Sequence, residues 1–242
     1  MQAHQAVLSS SKGPAQFDLG LNSNPDIDLD DQTKGKRGLV VRWNPITGER
    51  ELDELIWGLL PHGTKNPAAA PRPINARAET VADHPMFAGA LRQRRVIIPA
   101  TVYYQRRTTG GSGQSFAISR KDGRPMALAG LWESFKWPTG DIARTYCIIT
   151  TAANSLVAVI HHRMPVVLEE EDWPVWLGEK PGDVMALLHH LPRTCCNVSP
   201  SEGRQGRRRI IDEMWPTSQR PWPSEPISPA RSGQQPDLSD AG

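Results

Sequence analysis

Two short polar segments carry residue types that could do chemistry. Residues 72–80 read Arg-Pro-Ile-Asn-Ala-Arg-Ala-Glu-Thr, and residues 160–166 read Ile-His-His-Arg-Met-Pro-Val. Each combines an amide or imidazole with an arginine and a small or kinked residue, and neither has the apolar periodicity of a core element. Guanidinium groups bind anions, and imidazole moves protons near neutral pH. The two segments therefore predict a polar pocket for an anion and a proton transfer.

The segments around this pocket predict many short strands and few helices. A hairpin is expected from residues 38–43 and 55–60, with a turn at 44–48, and a helix is expected to start near Asp83 and Pro85. Further short strands are predicted at residues 95–100, 102–105, 115–119, 126–132, 146–150 and 164–168, a short helix or turn at 152–160, and closing helices at 170–177 and 183–191. Because strands and helices do not alternate regularly, the fold class is α+β, mostly antiparallel and curled toward a barrel.

Composition divides the 242 residues into a domain and two polar ends. Residues 1–37 have hardly any apolar periodicity, and residues 216–242 are dense in Pro, Ser, Gln and Gly, so both are predicted to be disordered. The domain is expected at residues 38–215. The net charge is only +2, but arginines cluster at residues 92–95, 106–107 and 204–209. Such local basic surface binds phosphates even at modest net charge. For any single cluster a solvated face is the favoured explanation, and the three clusters together shift the balance toward phosphate binding.

The three cysteines, Cys147, Cys195 and Cys196, form no disulfide framework, because their number is odd and two are adjacent. The apolar runs are too short to span a bilayer. We expect a cytoplasmic, soluble monomer without a membrane partner. The spacing of residues 189–190 and 195–196 fits no common zinc motif, so neither a metal nor a cofactor is expected.

Five segments together resemble a known family. They are Asn-Ala-Arg-Ala-Glu-Thr at 75–80, Val-Ile-Ile-Pro-Ala-Thr-Val-Tyr-Tyr at 96–104, Ala-Leu-Ala-Gly-Leu-Trp-Glu at 127–133, Ile-Thr-Thr-Ala-Ala-Asn at 149–154, and His-His-Arg-Met-Pro with the tryptophans that follow, at 161–177. In this order and spacing they closely resemble the SRAP family, the SOS response-associated peptidases regarded as abasic-site processing proteins. The resemblance covers roughly residues 38–200.

The resemblance implies a pseudo-barrel that binds single-stranded or abasic DNA in a basic groove. In this family an N-terminal cysteine attacks the ring-opened sugar of the abasic site and forms a thiazolidine, a DNA–protein crosslink that shields the lesion. The same cysteine is thought to remove a propeptide in some members. An asparagine, a glutamate and a histidine support the chemistry, which needs groups that exchange protons near neutral pH.

The family's residues are found in this sequence with some departures. Asn75 and His161 match the supporting asparagine and histidine, and the glutamate position carries Gln105. The DNA-binding residues that the resemblance implies are Arg77, Arg163, Tyr104, Arg106 and Thr151, and Arg106 stands where the family usually has tryptophan. Of two alternating tyrosines, Tyr103 and Tyr104, only one is expected to face the groove.

Two acidic residues near these motifs have simpler roles. Arg77 could pair with Glu79 or another carboxylate, and Glu79 is expected to act as such a structural partner rather than as a catalytic acid. Glu133 is expected in a structural ion pair, unless the fold places it near His161, where it could replace the missing carboxylate.

The departures leave three functions open. Residue 2 is Gln2, and no cysteine precedes Cys147, so the chain as written is not expected to form the family's crosslink. The first hypothesis is a protein that binds single-stranded or abasic DNA with impaired covalent chemistry. The second is an active processing enzyme, of peptidase or lyase type, whose N-terminal cysteine is absent from this sequence. The third is a non-enzymatic domain that binds a partner.

Overall fold

The computed structural model describes residues 24–28, 37–109 and 112–201, and strands dominate this part of the chain. The strands are β1 (Asn24–Asp28), β2 (Arg37–Asn44), β3 (Glu49–Trp57), β4 (Asn75–Arg77), β5 (Arg95–Thr109), β6 (Ser112–Arg120), β7 (Met126–Lys136), β8 (Ile142–Ala152), β9 (Arg163–Pro165), β10 (Val167–Leu168) and β11 (Cys196–Ser201). The helices are α1 (Ala88–Gln93) and α2 (Trp173–Leu177), with 3₁₀ turns at Glu170–Asp172 and Arg193–Cys195. The predicted tail at 216–242 lies outside the described residues.

Five strands close into a barrel. β7 pairs with both β5 and β8, β8 pairs with β3, β3 with β2, and β2 with β5. Each of these pairings is antiparallel except that between β3 and β8. Closure leaves none of the five strands with an unpaired edge. The predicted fold class, α+β with mostly antiparallel strands curled into a barrel and few short helices, is confirmed.

Short strands extend the barrel at two places. β4 and β9 both pair with the end of β8, β4 in parallel and β9 antiparallel. β1 pairs in parallel with β5, although it lies within the segment 1–37 that composition predicts as disordered. β6 pairs with the outer half of β5, and β11 pairs with β6. The candidate pocket segments therefore meet at β8.

The core has two clusters, one on each face of the barrel wall. Along β8, Tyr146 and Ile148 belong to the interior cluster, whereas Cys147 and Ile149 belong to the outer cluster, which α1 and α2 cover. This alternation follows from the two-residue period of a strand. Both faces of β7 and β8 are buried, which explains why their sequences are continuously apolar. Fully burying one such aliphatic side chain contributes roughly 2 kcal/mol.

Gly130 of β7 is required by close packing between strands. A Cβ atom at this position would lie 2.3 Å from Ile98 Cδ1 and 2.8 Å from the Cys147 carbonyl oxygen. Both distances are well inside van der Waals contact, and the carbonyl belongs to the adjacent strand. Any larger residue would push β7 away from β5 or β8.

Several predicted elements differ in detail. The predicted strands at 95–100 and 102–105 are one strand, β5, and the return strand of the first hairpin ends at Trp57 rather than at residue 60. The predicted strand at 164–168 is divided into β9 and β10, and residues 155–160 form turns. The predicted helix at 170–177 is present as a 3₁₀ turn followed by α2.

The helix predicted at residues 183–191 is wrong, because only a turn over residues 184–187 forms. The Asp183 carboxylate accepts hydrogen bonds from the backbone N–H groups of Met185 (2.9 Å) and Ala186 (3.4 Å), as a helix N-cap would. Pro192 lacks a backbone N–H and disfavours helical conformation in the residue before it, which limits how far this single turn can continue. No helix in the described part of the chain is long and apolar enough to cross a membrane.

Candidate functional site

The two polar segments lie on either side of the end of β8. In β4, Asn75 is aligned with Ile148 and Arg77 with Thr150, and in β9, Arg163 is aligned with Ala152. Aligned residues of paired strands project to the same face, and so do alternate residues of one strand. Asn75 and Arg77 therefore share the face of β8 that carries Ile148, a member of the interior cluster, whereas in β9 it is Met164, next to Arg163, that belongs to this cluster.

Gln105 and His161 are in direct contact, although 56 positions separate them in the chain. The Gln105 Nε2 atom lies 2.6 Å from His161 Nδ1. The backbone N–H of Arg163 also donates to His161 Nδ1, at 3.1 Å. The Arg163 carbonyl oxygen lies 3.3 Å from the same Nδ1 atom, so the tautomer of the ring decides which of these neighbours it bonds.

Arg163 is held by a carboxylate and by the backbone. Its Nη1 and Nη2 atoms donate to Glu79 Oε1 (2.7 Å) and Oε2 (2.8 Å), and Nη2 also donates to the Thr150 carbonyl. The guanidinium lowers the pKa of the Glu79 carboxyl below its ordinary value of 4.5. Glu79 thus pairs with Arg163 rather than with Arg77, which confirms that it belongs to an ion pair.

Three of the buried polar side-chain atoms that lack a partner belong to predicted site residues, and others lie elsewhere, at Arg94 and Ser201. Asn75 Oδ1, Gln105 Oε1 and Arg163 Nε are buried and have no hydrogen-bond partner among the described residues, and the same holds for the hydroxyl of Tyr103. Buried polar atoms in folded proteins are nearly always paired, so each exception needs an explanation. A ligand that supplies the missing partners is one such explanation. We call Gln105, His161 and Arg163 the open site, together with Asn75, whose place beside them stays a prediction.

Comparison with known proteins identifies the family. The sequence model of the SOS response associated peptidase family, SRAP, matches residues 24–202. The chain belongs to the SRAP family.

Curated SRAP relatives support this membership. The abasic site processing protein YoqW of Bacillus subtilis is 39% identical over 133 residues, which cover 54% of this chain and 59% of YoqW. The abasic site processing protein YedK of Escherichia coli is 33% identical over 129 residues, covering 53% of this chain and 56% of YedK. The matched segment thus spans less than two thirds of the length of these relatives.

A solved structure agrees with the fold. A crystal structure of a protein from Bacteroides thetaiotaomicron superposes with a TM-score of 0.64 at 27% identity, covering 69% of this chain and 75% of that one. A second, from Bordetella bronchiseptica, has a TM-score of 0.61 at 26% identity and covers 69% of this chain and 84% of the other.

Not all residues that the SRAP resemblance assigned to DNA binding reach the surface. Tyr104 is 2% exposed and Thr151 is 8% exposed. Thr151 also follows Thr150 in β8, so alternation directs it to the face opposite that of Asn75. Burial therefore argues against direct DNA contact by Tyr104 or Thr151. Tyr103, the alternating tyrosine, is also buried, so neither offers a face for base stacking.

The remaining predicted arginines are exposed. Arg77 has an exposed side chain that makes no hydrogen bond or ion pair with a described residue. Arg106 is exposed too, and its guanidinium lies over Gly113 on the neighbouring strand β6. Because Arg106 follows Gln105 in β5, its side chain leaves the strand on the opposite face. Arg77 is thus the better placed of the two to act with the open site.

Glu133 is engaged away from Gln105 and His161. Its carboxylate is buried and lies 2.8 Å from Arg94 Nη2 and 3.4 Å from His62 Nδ1. The predicted structural ion pair is confirmed. Neither Arg94 nor His62 belongs to the open site, so nothing in these contacts lets Glu133 replace the missing carboxylate.

Sequence reasoning missed the positioning role of Asn154. Its Oδ1 atom accepts from the backbone N–H groups of Leu156 and Val157, both at 3.0 Å, and its Nδ2 donates to the Leu191 carbonyl at 2.8 Å. The Val157 carbonyl in turn accepts from the backbone N–H of His161 at 3.0 Å. Asn154 therefore fixes the turn that presents His161. An asparagine opening a short polar turn is typical of such local capping.

Two of the three cysteines, Cys147 and Cys196, are poor nucleophiles. Cys147 is fully buried, and burial raises the pKa of its thiol. Burial also raises the pKa of the Cys196 thiol, against a weaker opposing effect of its hydrogen bond from Asn154. No group of three or more His, Cys, Asp or Glu side chains in residues 24–28, 37–109 or 112–201 is arranged to hold a metal ion.

Proposed function

We propose that this chain binds single-stranded DNA that carries an abasic site, with the lesion in the open site. The observation that carries the proposal is the contact between Gln105 and His161, 2.6 Å apart, beside buried polar atoms that lack partners. SRAP relatives named abasic site processing proteins support DNA as the substrate class. That this chain acts on the same substrate as those relatives is part of the proposal.

The donors and acceptors of the open site suit a ring-opened sugar. Asn75 Oδ1 and Gln105 Oε1 are acceptors without donors. His161 Nε2 makes no hydrogen bond to a described residue, so this ring nitrogen can bond a ligand. An abasic sugar supplies hydroxyl donors and a carbonyl or hydrate oxygen that accepts. A normal nucleotide fills this space with a base instead, so the site favours the lesion over intact DNA.

Arginines beside the open site would hold the phosphates of the strand. Arg77 is exposed and directly opposite Thr150, whose carbonyl accepts from Arg163. Arg163 is only 16% exposed and is already paired with Glu79, so its phosphate contact is confined to its accessible edge. Phosphate contacts give affinity without sequence preference and weaken with added salt.

Gln105 limits the chemistry that this site performs. A carboxamide donates and accepts hydrogen bonds but does not exchange a proton as a carboxylate does. The covalent route of the family relies on proton transfer when an amine condenses with the aldehyde. We therefore propose lesion binding as the main function, with slow covalent processing at most.

Covalent processing of abasic sites is the second candidate, and the family match over residues 24–202 favours it. A denaturing gel separates the two candidates. The purified chain is incubated with a labelled oligonucleotide containing one abasic site, and a shifted band that survives denaturation shows a covalent product. We expect a complex in a native gel and little shifted band in the denaturing gel.

Lesion preference tests the open site directly. Wild-type protein should bind the abasic oligonucleotide more tightly than the intact one, and His161→Ala should remove this preference, about 2- to 10-fold for one lost hydrogen bond. Arg77→Ala should instead weaken binding to both oligonucleotides alike. Lys121→Ala, an exposed change elsewhere, serves as the control. Equal affinity of the wild type for the two oligonucleotides would refute a lesion pocket here.

A further inference from the structure

A second cleft lies on the outer side of the barrel, between the ends of α1 and α2. Its volume is about 590 Å³. Its walls include the apolar side chains of Leu91, Val175 and Val184 and the cationic side chains of Arg92, Arg95 and Lys180. None of the lining residues belongs to the open site, and Leu91 packs in the outer cluster.

The cleft has a surplus of positive charge. Glu179 is the only carboxylate among its described lining residues, and Arg50 already binds it through Nε (2.6 Å) and Nη2 (3.0 Å). Arg92 and Lys180 are exposed and pair with no carboxylate in the described part of the chain. Three cationic side chains thus line the cleft, and the carboxylate of Glu179 is already paired with Arg50, which is not a lining residue.

Arg95 is held in place without an acidic partner. Its Nη1 donates to the carbonyls of Leu91 and Arg92, both at 2.7 Å, and its Nε donates to the carbonyl of Trp176. These contacts fix the guanidinium plane at the ends of both helices. Nη2 makes no hydrogen bond to a described residue, so a fixed guanidinium edge retains unused donors.

Gly178 keeps that edge accessible. It ends α2 in the left-handed conformation, with φ at +90°, and a Cβ atom there would lie 3.1 Å from Arg95 Nη2. A side chain at this position would therefore crowd the unused N–H groups. The half-buried guanidinium is a preorganised donor for an oxyanion, since it loses little freedom when it binds one.

We propose that this cleft binds a phosphate monoester of nucleotide size. The phosphate would lie against Arg95 Nη2 between Arg92 and Lys180, and the organic part would pack on the apolar wall. A monoester is close to a dianion at neutral pH, which suits three cations better than the single charge of a diester. A cleft of about 590 Å³ is within the range of small-molecule sites and holds one nucleotide.

Calorimetric titration with adenosine 5′-monophosphate tests the proposal, with adenosine as the ligand that lacks phosphate. Wild-type protein should bind the monophosphate about tenfold or more tightly than adenosine, because charge-assisted hydrogen bonds distinguish them. The double variant Arg92→Gln/Lys180→Gln should lose that difference. Arg95 is left unchanged because it holds carbonyls of both helices.

A matched double variant, Lys121→Gln/Lys136→Gln, removes the same charge from exposed positions outside the cleft and should bind like wild type. Equal binding of monophosphate and adenosine, or unchanged binding by Arg92→Gln/Lys180→Gln, would overturn the proposal. Oligonucleotides with a 5′-phosphate or a 5′-hydroxyl then identify the source. Tighter binding of the phosphorylated strand assigns the site to a DNA end, and equal binding assigns it to a free nucleotide.

Discussion

Two polar regions of this SRAP protein contain a largely buried arginine, yet they differ in how completely their polar atoms are paired. Arg120, with 7% of its side chain exposed, binds Asp122 and Glu169, and Asp122 also binds Arg124. Every buried polar side-chain atom of these residues has a hydrogen-bond partner. We call these four residues the closed cluster. In the open site, by contrast, Asn75, Gln105 and Arg163 each have one buried polar side-chain atom without a hydrogen-bond partner.

The difference separates stabilising from binding polar groups. The closed cluster joins the end of β6 to the turn after it and to the segment after β10, and its charges satisfy one another. A polar group whose hydrogen bonds and ion pairs are all formed within the protein gains no further stabilisation from a ligand. The open site is held together by fewer contacts and leaves donors and acceptors unused, which a ligand can satisfy. The comparison predicts opposite effects of substitution in the two regions.

The largest expected effect is on stability, from Arg120→Ala. This change removes the shared partner of two carboxylates and the packing of a nearly buried side chain, and should lower the free energy of unfolding by about 2–3 kcal/mol. Affinity for abasic DNA should remain that of wild type. Urea unfolding and native-gel titration measure the two quantities. A large loss of DNA affinity in a folded Arg120→Ala variant would break the distinction between the regions.

The sequence predicted the fold well where local pattern and packing agree. Alternating and continuous apolar runs indicated β7 and β8, and a proline–glycine turn indicated the β2–β3 hairpin. The sequence-based prediction failed where contacts between distant segments determine the extent of a strand. The strand β5 continues past Pro99 because β7 and β6 pair with its two halves in turn, and the sequence does not show that pairing.

The site was predicted only in part, because sequence gives residue types and structure gives contacts. The motif pointed to Gln105 and His161, which do meet. It could not show that Arg163 binds Glu79, or that Tyr104 is buried, since both depend on how β4, β5 and β9 are arranged. The convergence of Asn75 with His161 stays a prediction, supported by the pairing of both β4 and β9 with the end of β8.

The next effect in size is on binding, from Arg163→Ala. If Arg163 contacts a phosphate, affinity for single-stranded DNA should fall about tenfold. The fall should be similar for every sequence, and the slope of log affinity against log salt should decrease by about 0.7 for one lost phosphate contact. Titrations at several salt concentrations measure both quantities.

Lys136→Ala is the control for this experiment, because Lys136 is exposed at the end of β7 and outside the open site. Stability should also be compared, since Arg163 ties β9 to Thr150 and Glu79. A smaller loss of stability than in Arg120→Ala, together with weaker DNA binding, sharpens the comparison. An unchanged salt slope would remove Arg163 from the DNA-contacting surface and leave it a purely structural role.

The smallest effect is expected from Glu79→Gln, and it depends on pH. Arg163 lowers the pKa of Glu79, so the folded chain releases this proton more readily than the unfolded chain does. The stabilisation by the pair is therefore fully present above the ordinary pKa of 4.5 and is lost as the pH falls through the lower folded value. Because Glu79 is half exposed, the difference in unfolding free energy at neutral pH should be only about 0.5 kcal/mol.

The same variant decides what Glu79 does for binding. At neutral pH its carboxylate occupies Nη1 and Nη2 of Arg163, the two groups most suited to a phosphate. If a phosphate replaces Glu79, the variant should bind single-stranded DNA more tightly than wild type, since the competing charge is gone. If Glu79 instead orients Arg163 toward the strand, the variant should bind more weakly. Titrations of both proteins at neutral pH give the sign, and equal affinities would place the Glu79–Arg163 pair with the closed cluster, as a contact that serves only the fold.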